Sequence, residues 1–81
     1  MSGHAAIKIL GAAIRDLREK KGLTLEALAA KADISYQYLS GIETGKENFS
    51  IRILEQIARG LEIPLSHLVE KAYGASGHDA R

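Results

Sequence analysis

The chain has 81 residues, enough for one domain whose core only marginally offsets the entropy lost on folding, so self-association is expected to help its stability. Eleven Lys and Arg against ten Asp and Glu leave a net charge of +1, so any nucleic-acid contact must rest on where positive charge sits rather than on a basic whole. Composition also excludes several classes: no cysteine for a disulfide or zinc site, no apolar run of the roughly 18 residues a membrane span needs, and, with three Tyr, one Phe and no Trp, too few rings for a single-strand binder built on stacking.

In chain order, Ile7, Leu10, Ile14 and Leu17 recur at helical spacing, with Lys8, Arg15, Asp16, Arg18 and Glu19 largely on other faces, which predicts a first helix at about 5–21 closed by Gly22. Four helix starts follow, each with an apolar residue before the cap and another five positions later, the pattern of a hydrophobic staple. They are Leu23-Thr24 with Leu28, Ile34-Ser35 with Leu39, Phe49-Ser50 with Leu54, and Ile63-Pro64 with Leu68. Thr24, Ser35 and Ser50 can accept from first-turn amides; Pro64 cannot, but its fixed backbone angle suits chain entry. The expected map is all-α, with further helices at about 25–32, 36–43, 51–60 and 65–72. One domain spanning 1–81 is expected, packed over about 5–73, with a flexible tail at 74–81.

The second and third helices are joined only by Asp33-Ile34-Ser35, too short for an antiparallel return, so they must cross steeply as a helix-turn-helix at 24–43. Ala29 falls where the axes approach, and Asp33 is one of the few residues besides glycine that tolerates a left-handed conformation. At 100° per residue the third helix divides into two arcs. Ser35, Tyr38, Leu39 and Ile42 form a packing side, and Tyr36, Gln37, Ser40, Gly41 and Thr44 form a polar, uncharged side. Gln37 on that side can make paired hydrogen bonds to an adenine edge, although a merely solvated face would read the same way. Gly41 costs helix stability, which suggests that something approaches closely there. On the fourth helix Ile51, Leu54, Ile57 and Ala58 are expected to face the core, and Glu26 and Glu55 to face solvent.

The stretch L-T-x-x-x-L-A-x-K-A-x-I-S-x-x-Y-L-S, followed by I-E-x-G-K, resembles the Xre/Cro-repressor family of helix-turn-helix DNA-binding domains over roughly residues 7–72. Within that family the chain is most similar to the small controller proteins of restriction–modification systems, through Tyr38-Leu39-Ser40-Gly41-Ile42-Glu43 and then Asn48-Phe49-Ser50. The resemblance implies a five-helix, lambda-repressor-like fold. It places Tyr36, Gln37 and Ser40 at base edges, and Ser35, Tyr38, Thr44, Lys46, Asn48 and Arg52 near phosphates. Arg18 and Glu43 would pair to hold the third helix on the first. Leu61, Ile63, Leu65 and Leu68 would form a two-fold interface, although the same residues would serve equally to close the protomer core. Two departures stand out: Leu25 replaces the Gln many relatives carry after the Thr cap, and Glu47 replaces the Arg that controllers often place before the Asn, which shifts phosphate contact toward Lys46.

The implied function is regulation of transcription by a homodimer on double-stranded DNA, at a near-palindromic operator that includes its own promoter. No catalytic residue, metal, cofactor or small-molecule ligand is expected, because the three histidines are scattered and no phosphate-binding glycine loop is present. The opening residues lack a secretory pattern and a membrane role is not expected, so the expected setting is cytoplasmic. The competing reading is a protein-interaction module, such as an antitoxin or a partner that regulates a repressor, which predicts an exposed apolar patch and indifference to Gln37→Ala.

Overall fold

The computed structural model describes residues 3–74. Five helices follow in order, α1 Gly3–Lys20, α2 Leu25–Ala32, α3 Tyr36–Glu43, α4 Ile51–Gly60 and α5 Leu65–Tyr73, with no strand among the described residues. The ends fall within two residues of expectation. All four staples form: Leu28, Leu39, Leu54 and Leu68 are fully buried at the fourth helical position, and Leu23, Ile34, Phe49 and Ile63 pack against the core from before the caps. Thr24, Ser35 and Ser50 accept from the amides of Ala27, Tyr38 and Ile53, while Pro64 makes no side-chain cap.

One core unites all five helices. Ile14 comes from α1, Leu28 from α2, Leu39 and Ile42 from α3, Leu54 and Ile57 from α4 and Leu68 from α5, joined by Leu61 in the α4–α5 connection. Helix α1 lies against α3 and α5, and α2 against α3 and α4, so the helix-turn-helix is held from both sides. Ala29 and Ala32 are buried, as close axes require. Asp33 takes the left-handed conformation at φ 60°, its amide and that of Ile34 closing the end of α2 onto Ala29 and Ala30.

Gly11 has a role that periodicity does not reveal. It is buried where α1 crosses α3, and a methyl group there would collide with the Ile42 carbonyl oxygen and lie 3.2 Å from that of Glu43. Backbone cannot step aside as a side-chain tip can, so this crossing requires glycine.

Three expectations need correction or bounding. Ile51 is 66% exposed, because the first residue of α4 projects beyond the core that Leu54 and Ile57 enter. Leu61 and Leu68 have no exposed surface in the protomer and therefore no area to bury against a second copy; they close the core instead. Of the expected interface, Ile63 and Leu65 keep partial exposure, and Val69 on α5 is exposed. The flexible-tail expectation for 74–81 lies, apart from Gly74, outside the described residues; Gly74 caps α5 at φ 71°. No helix among those described is long and apolar enough to cross a membrane.

Candidate nucleic-acid interface

The outward face of α3 is built by what lies beneath it. Leu39 and Ile42 are fully buried, which turns Tyr36 and Gln37 outward; both are exposed, Tyr36 by 46%. Ser40 and Gly41, on the same side one turn later, are partly covered. The Ser35 oxygen accepts from the Tyr38 amide at 3.1 Å, leaving its own proton free for an external acceptor such as a phosphate.

The orientation of α3 is fixed at its far end by an ion pair. Arg18 Nε donates to Glu43 Oε2 at 2.7 Å and Nη2 to Oε1 at 3.0 Å, while Nη1 reaches the Leu23 carbonyl at 2.9 Å. The side chains are 12% and 4% exposed. The bidentate pair ties α1 to the end of α3, and the third bond adds the start of the helix-turn-helix. The Glu43 hydrogen bond raises the Arg18 pKa further above its already high value, against the opposing effect of burial. A second tie comes from Gln56 of α4, whose amide donates to the Ala32 carbonyl at 2.8 Å and satisfies an otherwise open helix end.

The loop after α3 folds back onto that helix. Lys46 and Glu47 amides both donate to the Gly41 carbonyl, at 2.8 and 3.1 Å, and the Gly45 amide donates to Ile42. Tyr38 Oη donates to the Asn48 carbonyl at 2.8 Å, and Thr44 Oγ1 donates to the Ser40 carbonyl at 2.9 Å. Each hydroxyl has a single proton, so in this arrangement neither Tyr38 nor Thr44 can donate to a phosphate; both serve to hold the loop. The close neighbour of Gly41 is also internal: a methyl there would collide with Glu47 Cγ and lie 3.2 Å from its Cβ.

Lys46 and Asn48 are exposed on this loop beside α3. Lys8 joins them from α1, its stem packed against Gly45, where a methyl group would come 2.8 Å from Lys8 Cγ. No local sequence signal marks Lys8, because the contact depends on how α1 crosses α3. Arg52 is exposed in a different setting, a shallow polar groove of about 440 Å³ between the end of α2 and α4, shared with Lys31, Asp33, Gln56 and Arg59. The structure thus sets Tyr36, Gln37 and Ser40 on the helix onto which the Lys46 loop folds back, with Lys8 packed beside Gly45 of that loop. The described residues contain no cluster of three or more side chains able to hold a metal ion.

Comparison with known proteins agrees with this geometry. A family profile described as helix-turn-helix matches residues 14–68. The control protein C.MunI of Mycoplasma sp is 47% identical over 64 residues, spanning 76% of this chain and 86% of that protein. Among solved structures, the restriction-modification controller protein C.AhdI of Aeromonas hydrophila superposes with a TM-score of 0.76 at 33% identity, over 79% of this chain and 97% of that one. The clp gene regulator ClgR of C. glutamicum gives 0.78 at 34% identity, over 84% and 88%.

Proposed function

For this chain, which belongs to the helix-turn-helix family of transcriptional regulators, we propose action as a homodimer on a near-palindromic operator in the manner of a restriction–modification controller. The observation that carries this reading is the outward face of α3, where Tyr36 and Gln37 stand exposed beside the Lys46 loop on a helix locked by Arg18 and Glu43. Gln37 is assigned to a base edge, with Tyr36 and Ser40 beside it. Ser35, Lys46, Asn48, Lys8 and Arg52 are assigned to the backbone. Non-enzymatic action inside the cytoplasm accompanies this reading.

For the dimeric part, the α4–α5 region offers the surface. Ile63 and Leu65 line a shallow groove with Glu55, Ala58 and Arg59. Glu55 and Arg59 are exposed and one turn apart, so a two-fold axis through the groove would let each carboxylate meet the partner's guanidinium around an apolar centre. Such a dimer would present two α3 helices about 34 Å apart, one turn of B-DNA. Because the dimer assembles as protein accumulates, operator occupancy would rise more steeply than concentration, which suits control of its own promoter.

Selection of bound sites from a random duplex pool, with wild type and Gln37→Ala at two salt concentrations, tests the reading. It expects an enriched near-palindrome whose half-site relaxes at one or two positions in the variant, a loss of about 1–3 kcal/mol of discrimination. Salt-sensitive binding without enrichment would refute specific reading and favour a protein partner instead.

A further inference from the structure

Glu47 is an anomaly on a surface assigned to DNA. It stands between the loop cation Lys46 and Asn48, and none of the ion pairs among the described residues involves it. Its stem nevertheless has a defined seat. The Glu47 amide is bonded to the Gly41 carbonyl at 3.1 Å and its Cβ and Cγ cover the space that a side chain at 41 would fill. Residue 41 lies one turn beyond Gln37, so the two share a stripe along the helix. The loop is pinned on either side by Thr44 to Ser40 and by Tyr38 to Asn48, so the Glu47 stem is held against the outward face of α3.

We infer that Glu47 is a specificity-determining residue that reads cytosine in each half-site, seated against the recognition helix by the absence of a side chain at Gly41. This inference rests on the DNA-reading function proposed above. A carboxylate only accepts hydrogen bonds, and the base edges of the major groove differ in what they offer it. Guanine presents two acceptors, thymine an acceptor and a methyl group, and adenine an amine next to an acceptor nitrogen. Cytosine alone presents an amine donor with no acceptor on its own edge, and therefore suits Glu47 best. The same charge repels phosphate, so a half-site lacking the cytosine would leave the carboxylate desolvated and unpaired, which adds rejection to attraction.

The test is site selection from a random duplex pool with the full chain as wild type, Glu47→Ala, Glu47→Gln and Gly41→Ala, each first checked for an unchanged helical spectrum. Wild type should enrich cytosine at one position per half-site beside the position that Gln37 governs, with a preference of roughly 5- to 150-fold. Glu47→Ala should flatten that position and leave the rest of the motif intact. Glu47→Gln should broaden it to include adenine, whose amine and acceptor match an amide. Gly41→Ala should flatten the same position by pushing Glu47 off its seat. The inference is overturned if wild type enriches a palindrome and Glu47→Ala tightens binding to every sequence equally with no position altered, since Glu47 would then be a repelling surface charge alone. A wild-type protein that enriches nothing overturns the DNA-reading function itself, together with the inference.

Discussion

Replacing Glu43 by Gln leaves the Arg18 guanidinium, only 12% exposed, facing an amide instead of a carboxylate. Removing one member of a buried ion pair costs about 3–5 kcal/mol, because the remaining charge keeps its desolvation penalty and loses its compensation. An 81-residue domain has roughly 4–12 kcal/mol of stability in total, so this single change takes a large share. Arg18→Met also surrenders the bond to the Leu23 carbonyl and leaves Glu43, 4% exposed, without its partner, so its cost is expected to be of the same order. The double replacement, Arg18→Met with Glu43→Leu, removes both charges and should be more stable than Glu43→Gln. Urea denaturation followed by far-UV circular dichroism reads all three together with the Glu43→Leu single variant that closes the double-mutant cycle. A coupling below about 0.5 kcal/mol would mean that the two residues act independently and would refute their role as the clamp on α3.

Three further outcomes are expected. Gly11→Ala should lower stability by about 1–3 kcal/mol, because the added methyl meets the Ile42 carbonyl oxygen, and an unchanged Tm would show that the α1–α3 crossing can relax. Tyr38→Phe should cost about 0.5–1.5 kcal/mol of stability and leave the salt dependence of DNA binding unchanged, since its proton serves Asn48; a shallower salt slope would instead place that hydroxyl on a phosphate. The Lys71 hydrogen bond, at 2.6 Å, holds Asp16 below the usual carboxylate range, and Asp16 in turn raises the Lys71 pKa. The Asp16 contribution to stability is therefore present above about pH 4 and lost as pH falls through its depressed folded value, while that of Lys71 is lost only as pH rises through its elevated one. Asp16→Asn should remove that part of the acid-side loss, and an unaltered pH profile of stability would refute the contact.

The helices and their starts were legible in the sequence because their causes are local. A cap hydroxyl acts on an amide three residues away and a staple spans five, so Thr24, Ser35 and Ser50 with Leu28, Leu39 and Leu54 announce their helices before any packing is known. The short Asp33-Ile34-Ser35 join was likewise legible as the turn of the helix-turn-helix, with Asp33 left-handed at its start. The pairing of Arg18 with Glu43 was legible only through family resemblance, since nothing local joins residues 25 positions apart.

Tertiary structure decided whatever depends on which surfaces meet. Leu61 and Leu68 are as apolar as Ile63 and Leu65, and only the α4–α5 packing separates core from available surface. Ile51 fits the periodicity of α4 yet stands in solvent, because at the helix start it projects beyond the core that Leu54 and Ile57 enter. Likewise Gly11, Gln56 and Lys8 acquire their roles from α3, α2 and the Gly45 loop respectively, and Tyr38 and Thr44 spend their protons on nearby carbonyls rather than offering them outward. Periodicity states which side of a helix is apolar; what covers that side, and where each hydroxyl proton goes, is settled by long-range geometry that a single chain of letters does not contain.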